Sequence, residues 1–405
     1  MFSQPRVTIA FALGGLQGFN GHGIGFLDAA RELEVEPSVI SCTGSMIGWV
    51  ATWLEGRELL PLLAEAMERE SRHPQQAEWL GRVWRAASGM SGPLRPAVEE
   101  YWRRWLTPPF AAGDGAYGVL SPASGLAKAF LDRLMPAQIL SPQPDPEERE
   151  RIAAAINASR VPVVFNSFQP QTGRDFLHVN PAAAEFLQVE PQPLASDAKF
   201  KTVSPEAVAA AQWLHQYGFD ERSNPHGLIS GTYHRQFIIA ELHMVNRIYA
   251  VRPINTRWIG ELPANWFEMR DFTRRLWFNG AYYAETARMR LVNQLVETGR
   301  LSDELFRRIE LIEVQVEEPY EDFGHAAEEH ALYRRAAERA REVLGEREHA
   351  SVPCGLPVPC TQLASRLALA EFLPRISNDI CYSCGYYTDA PHRTREEIHA
   401  GTAQG

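Results

Sequence analysis

Two glycine-bearing turns near the start of the chain hold residues that could do chemistry. The first is Gly14-Gly15-Leu16-Gln17-Gly18-Phe19-Asn20-Gly21-His22-Gly23-Ile24-Gly25, between an apolar, β-rich stretch and a helical one. Glycines there let backbone N–H groups turn toward an anion at a helix N-terminus. No register supplies glycines at i, i+2 and i+5, and no Gly-Lys-Ser/Thr follows, which excludes a dinucleotide fingerprint and a P-loop. An oxyanion-type loop or a tightly packed turn remains. The second turn is Ile40-Ser41-Cys42-Thr43-Gly44-Ser45-Met46, placed where a strand-to-helix elbow would present a nucleophile, yet Gly-x-Ser-x-Gly occurs nowhere in the chain.

Neighbouring residues offer substitutes, each with a plainer role. Ser45 opens a helix: it either satisfies first-turn N–H groups or acts as a shifted nucleophile. Cys42 is a stronger nucleophile that a helix N-terminus would activate, or a small apolar residue closing a buried strand. His22, His226 and His234 are candidate bases or, together, a metal set. None pairs at helical i, i+4 spacing, so hydrogen-bonded or solvated histidines and no metal site are expected. Cys354, Cys360, Cys381 and Cys384 have spacing too loose to specify zinc and read as free thiols. Tyr101-Trp102-Arg103-Arg104-Trp105-Leu106 is either a packed helix with a solvated Arg face or a cover touching a lipid interface.

The elements that would position these residues follow from periodicity. Val7 to Leu13 is a buried strand, Gly23 to Glu34 a helix, Ser38 to Ser41 a strand and Ser45 to Leu54 a helix. That alternation predicts an α/β layer with a parallel sheet. A helical, Trp/Arg-rich insertion spans about 59–122. Val161 to Ser167 predicts a strand, with Asp175 to Val179 as hairpin partner. Ser204-Pro205-Glu206 caps a helix, and Asn246 to Val251 forms a further strand. From Trp266 onward the pattern is helical, with an acidic loop at Glu317 to Asp322. The expected division is 1–255 as the α/β domain and 256–405 as a helical C-terminal extension.

Several of these segments together resemble the patatin-like phospholipases. The resemblance rests on Ala12-Leu13-Gly14-Gly15, His22 to Leu27, Ile40 to Gly56, Val161 to Gly173, Val203 to Ala211 and Asn246 to Pro253. Leu276-Trp277-Phe278-Asn279-Gly280-Ala281 is similar to a bacterial subgroup with a helical C-terminal extension. The resemblance implies a three-layer α/β/α fold with a mainly parallel sheet, an oxyanion loop and a Ser–Asp dyad. In the family's Ile-Ala-Gly-Thr-Ser-Ala-Gly, the nucleophile's place falls on Gly44, with Cys42 and Met46 at the flanking glycines. In its Asp-Gly-Gly/Ala, the base's place falls on Ser230 of Leu228-Ile229-Ser230-Gly231-Thr232. Gly14, Gly15, Leu16, Gly18, His22 and Gly231 then line the oxyanion loop and cleft, with Leu16 interrupting the glycines. The implied protein is a degenerate member that keeps an acyl- or lipid-type cleft without the ordinary dyad, serving a binding or partner role or repurposed chemistry. The alternative is an active, phospholipase A-like acyl hydrolase using Ser45 or Cys42, with a histidine such as His226 or water as base.

Composition limits the other function classes. A net charge of −10 argues against a sequence-independent nucleic-acid binder, and scattered Arg argues against more than peripheral membrane contact. No apolar run is long enough to cross a bilayer. Five cysteines, an odd number, and no signal-peptide pattern at the N-terminus predict a cytoplasmic protein. The expected partner is an acyl, lipid-like or other small molecule, with no cofactor, and a protein partner remains open.

Overall fold

The computed structural model describes residues 8–15, 20–71, 95–96, 140–141, 145–219, 224–253, 255–258, 262–264, 266–302, 308–316 and 325–345. In chain order, β1 (Ile9–Leu13) leads to α1 (Gly21–Glu32), β2 (Val39–Cys42), α2 (Met46–Leu54) and α3 (Leu59–Ser71). The short antiparallel pair β3 (Arg95–Pro96) and β4 (Leu140–Ser141) follows. Then come α4 (Pro146–Ala158), β5 (Val163–Gln169), β6 (Arg174–Val179), α5 (Pro181–Leu187), β7 (Phe200–Thr202), α6 (Pro205–Ala211) and β8 (Ile229–Ser230). The last elements are β9 (Arg247–Arg252), α7 (Trp266–Glu297), β10 (Glu310–Gln315) and α8 (His325–Gly345).

One mixed, mainly parallel sheet organises these elements in the order β10-β9-β1-β2-β5-β6-β7, with β8 beside β5. β5 pairs antiparallel with β6 and β8; the other pairings in this sheet are parallel. The central strands are buried on both faces, which is why β1 (Ile-Ala-Phe-Ala-Leu) reads as a continuous apolar run rather than an alternating one. Phe11, Leu13, Ile40, Phe165 and Tyr249 pack one face against residues of α1, α2, α3, α4, α6 and α8. On the other face, Ala10 and Ala12 are small enough to admit Phe237 and Tyr282, whose rings meet edge-on at 5.1 Å.

Side-chain caps followed by proline start three helices: Ser204 Oγ accepts from Ala207 N–H, Asn180 Oδ1 from Ala183 N–H and Asp145 Oδ1 from Glu148 N–H. The region after residue 255, expected to be a helical extension, is not only helical. β10 joins the sheet parallel to β9, and α8 packs on α1. Glu310 and Glu313 broke the β pattern because they are cross-strand partners, Glu310 to Arg247 and Glu313 to Arg252. The α1–α8 crossing is close: a Cβ on Gly21 would stand 2.6 Å from Glu329 O, and one on Gly25 2.3 Å from Tyr333 O. Tyr333 donates to Asp28 across it at 2.9 Å. The Trp/Arg segment at 101–106, most of the 59–122 insertion beyond α3, and Cys354, Cys360, Cys381 and Cys384 lie outside the described residues.

Candidate active site

β1, β2 and β9 run parallel, so the turns leaving them share one edge of the sheet, the edge where open α/β sheets hold ligands. Thr43 locks two of those turns together. Its Oγ1 accepts from Gly15 N–H at 2.9 Å and donates to Gln236 O at 2.9 Å, and the residue is fully buried. A Cβ on Gly15 would lie 1.9 Å from Thr43 O, so only glycine fits there. Thr43 N–H also donates to Leu13 O, and Gly14 N–H to Val251 O. The expected turn over Gly14 and Gly15 is thus built by neighbouring strand ends; Leu16 and Gly18 fall outside the described residues.

Gly44 turns the chain from β2 into α2 with φ of +56°. A Cβ there would point at two hydroxyls, Thr232 Oγ1 at 2.9 Å and Ser230 Oγ at 3.6 Å. Positions 44 and 230, far apart in sequence, therefore face each other. Ser230 is held from both sides, its N–H donating to Trp213 O at 2.8 Å and its Oγ to Thr232 Oγ1 at 3.2 Å. Gly231 is forced as well, since a Cβ on it would stand 2.1 Å from Asn166 Cγ. Hydroxyls next to position 44 cannot take a proton near neutral pH, so neither Ser230 nor Thr232 offers a base there, and Gly44 offers no side chain.

The remaining candidates disperse. Cys42 is buried at the end of β2, and burial pushes its thiol far above the ordinary range. Desolvation disfavours its thiolate, which fits the small apolar residue closing a buried strand better than the nucleophile. Ser45 precedes α2 but makes no capping bond; its Oγ accepts from Asn20 Nδ2 at 2.5 Å. Asn20 itself is buried in the left-handed region, with φ of 60°, at the start of α1. His22 is buried, and its Nε2–H donates to Gly14 O at 2.8 Å. Burial lowers its pKa to about 4, so it is a neutral clamp on the glycine turn, with its proton on Nε2. His226 is exposed on the loop before β8, where its carbonyl accepts from Gln169 Nε2 at 3.4 Å. His234 is exposed and stacks on Phe168 at 4.5 Å. Among the described residues no group of three or more His, Cys, Asp or Glu could hold a metal, and no helix is long and apolar enough to cross a membrane.

Two polar clusters escaped sequence reasoning. Ser167 Oγ and His178 Nε2 lie 2.8 Å apart between β5 and β6, both fully buried, with the His178 ring stacked on Phe165. Burial, then the Lys201 charge, lowers the pKa of His178 to about 3. Ser167 is the register partner of Ser230, so the pair continues the hydroxyl line of the site into the sheet. Behind Gly231, Asn166 donates to Asp175 Oδ1 at 3.2 Å. Arg235 there binds three carboxylates: Asp175 at 3.4 Å, Glu285 at 2.8 Å and Glu241. Lys199 reaches Glu241 at 3.0 Å. Burial raises the Asp175 pKa to about 7 despite Arg235. Tertiary folding alone assembles these residues, and no local spacing announces them.

No protein-family model matches the chain, and no curated protein matches it.

Proposed function

We propose that the protein is a degenerate patatin-like α/β protein that keeps an acyl- or lipid-type cleft at the Gly15–Gly44 edge and lacks Ser–Asp hydrolysis. The observation that carries this reading is the facing pair at positions 44 and 230. A side chain on Gly44 would aim at Ser230 and Thr232, the arrangement a nucleophile and its base need, with both functional groups replaced. Its role is to bind an acyl-bearing small molecule or to present that site to a partner, and the odd cysteine count fits work in the reducing cytoplasm.

The test exposes purified protein, Ser45→Ala and Cys42→Ala to a fluorophosphonate probe and short-chain p-nitrophenyl esters. Inert behaviour, with acyl species co-purifying by native mass spectrometry, is the expected outcome. Labelling or turnover that vanishes in Ser45→Ala would replace the proposal with an acyl hydrolase using the Asn20-bonded serine. Gly44→Ser with Ser230→Asp and Thr232→Ala asks whether the geometry survives. Thr232→Ala is needed because Thr232 Oγ1 stands 2.9 Å from where the serine Cβ would go. Weak esterase activity is expected of this triple variant and less of the pair without Thr232→Ala; a folded, inert triple variant refutes the patatin-like alignment.

A further inference from the structure

Between β8 and β9 the chain lies across β5, β2 and β1 with only short turns of its own, Gly231–Tyr233 and Ala240–Leu242. Its later part is fastened to the sheet: Thr43 Oγ1 donates to Gln236 O, Ser41 Oγ to Ile238 O at 2.8 Å, and Phe237 packs on Ala10 and Ala12. The earlier part, Gly231 to Arg235, carries Thr232 over Gly44 and is held differently. Tyr233 donates to Gln216 Oε1 at 3.2 Å, and Gly231 rests directly on the Asn166 amide. Asn166 Nδ2 reaches Arg235 O at 3.4 Å, and the Arg235 guanidinium is gripped by Asp175 of β6, Glu241 of the second turn and Glu285 of α7.

That grip is unbalanced. Asp175, Glu241 and Glu285, with side chains 16% exposed or less, face Arg235 and the half-exposed Lys199. With every carboxylate ionised, one negative charge is in excess. The hydrogen bonds fall short in the same sense. Asn166 donates through Nδ2 to Asp175 Oδ1, while Asn166 Oδ1 and Asp175 Oδ2 are buried acceptors with no hydrogen bond. Buried acceptors without donors are costly. One proton on Asp175 Oδ2 answers both shortfalls: it removes the excess charge and supplies a donor where two acceptors stand. Burial raises the Asp175 pKa to about 7 against the pull of Arg235, and raises that of Glu285 too. Glu241, despite burial, is lowered by its bonds to Arg235 and Lys199. His234 beside Arg235 is lowered by partial burial and by that charge, so it titrates with the opposite sign.

We infer that Gly231 to Arg235 is a proton-latched flap over position 44, closed while Asp175 carries a proton and loosened when the proton leaves. What the flap uncovers rests on the reading of the Gly44 edge as a cleft; the latch itself does not. Opening returns Asp175 to solvent, where its ordinary pKa is 3.8. Closure is therefore fully supported below pH 3.8, loses support as pH rises to about 7, and is level above that. One proton sets the ceiling, so the opening constant rises by up to about tenfold per pH unit within that window.

Hydrogen–deuterium exchange on the full chain, without ligand, at pH 5, 6, 7 and 8 tests this. It is read as protection factors, with the intrinsic pH dependence of exchange divided out, for peptides over 231–235 and over β1. In wild type, protection of 231–235 should fall about tenfold or more from pH 5 to 7 and level off from 7 to 8, while β1 holds. Asp175→Asn is uncharged and keeps a donor for Asn166 Oδ1, so it should abolish the fall and stay protected at pH 7. His234→Gln should keep the fall. A flat wild-type profile, a fall that survives Asp175→Asn or vanishes in His234→Gln, or β1 losing protection in step with 231–235 would overturn the inference. The wild-type profile decides even if Asp175→Asn does not fold. Because no ligand or ester enters, these outcomes are distinct from success or failure of the cleft reading.

Discussion

The geometry facing position 44 sets a measurable coupling between Gly44 and Thr232. In Gly44→Ala the new Cβ must adopt φ near +56°, which costs an L-residue roughly 1–2 kcal/mol. It must also displace Thr232 Oγ1 from 2.9 Å, and Thr232 can only yield by rotating out of its hydrogen bond with Ser230 Oγ, worth about 0.5–1.5 kcal/mol. The single variant should therefore lose about 2–3 kcal/mol. Thr232→Ala removes the obstructing atom and the hydrogen bond together and should cost about 1 kcal/mol alone. In the double variant only the backbone strain remains to be added, so its loss should fall short of the summed singles by about 1 kcal/mol. Urea denaturation of the four proteins, followed by tryptophan fluorescence and far-UV circular dichroism together, measures this cycle. Additivity within about 0.3–0.5 kcal/mol, the ordinary scatter for independent sites, would refute the placement of Thr232 over position 44. A Gly44→Ala protein as stable as wild type would refute the left-handed turn itself.

Gly15→Ala drives a Cβ to 1.9 Å from a backbone oxygen and should cost about 3 kcal/mol or prevent folding, read as lost soluble yield or a lowered denaturation midpoint. The depressed pKa of His22, about 4 against 6.5 unfolded, contributes stability that is present above pH 6.5 and lost as pH falls through 4. His22→Gln should flatten the acid limb of the stability curve between those values by up to about 1.4 kcal/mol per pH unit, and an unchanged slope would show His22 to be solvated. Asp175 runs the other way, its raised pKa contributing stability below pH 4 that is lost as pH rises through 7, so Asp175→Asn should gain on wild type in denaturation midpoint from pH 5 to 8. Arg235→Met strands Asp175 and Glu285, leaves Glu241 with Lys199 alone, and should cost about 3–5 kcal/mol, more at pH 8 than at pH 5 because protonation relieves the stranded carboxylates.

What could be read in the sequence was local, and what could not was assembled by the fold. β1, β2, β5 and β9 announced themselves because buried strands are rich in apolar and β-branched residues, and α6 because Ser204-Pro205 is a self-contained start signal. β10 stayed hidden because its glutamates answer arginines on β9, which lies over fifty residues upstream. The candidate positions 44 and 230 were legible from motif resemblance, yet Thr232 as the residue filling the space over Gly44 was not. Asp175 and Arg235, or Ser167 and His178, have no spacing to recognise; each is an ordinary strand or loop residue until the sheet forms.

On the proposed patatin-like reading, three positions of the site form one exchange of volume and polarity. Where the resemblance implies serine, aspartate and glycine or alanine, this chain has Gly44, Ser230 and Thr232. With no side chain at 44, Thr232 Oγ1 stands in the space beside it. Loss of the carboxylate at 230 leaves a buried hydroxyl, and that hydroxyl donates to Thr232. Each replacement would be costly alone: a threonine at 232 would crowd a serine at 44, and an isolated buried Ser230 would leave its donor unmet. Together they give a site without a buried charge and with its central hydroxyls mutually bonded. The surrounding frame, by contrast, keeps features that packing alone explains: Gly15 against Thr43, Gly231 against Asn166, and neutral His22 on Gly14. The reactive atoms and the frame that would hold them are therefore separable in this chain. The turns at the sheet edge cannot close without that frame, so on the proposed reading the frame is kept for packing whether or not the chain hydrolyses anything.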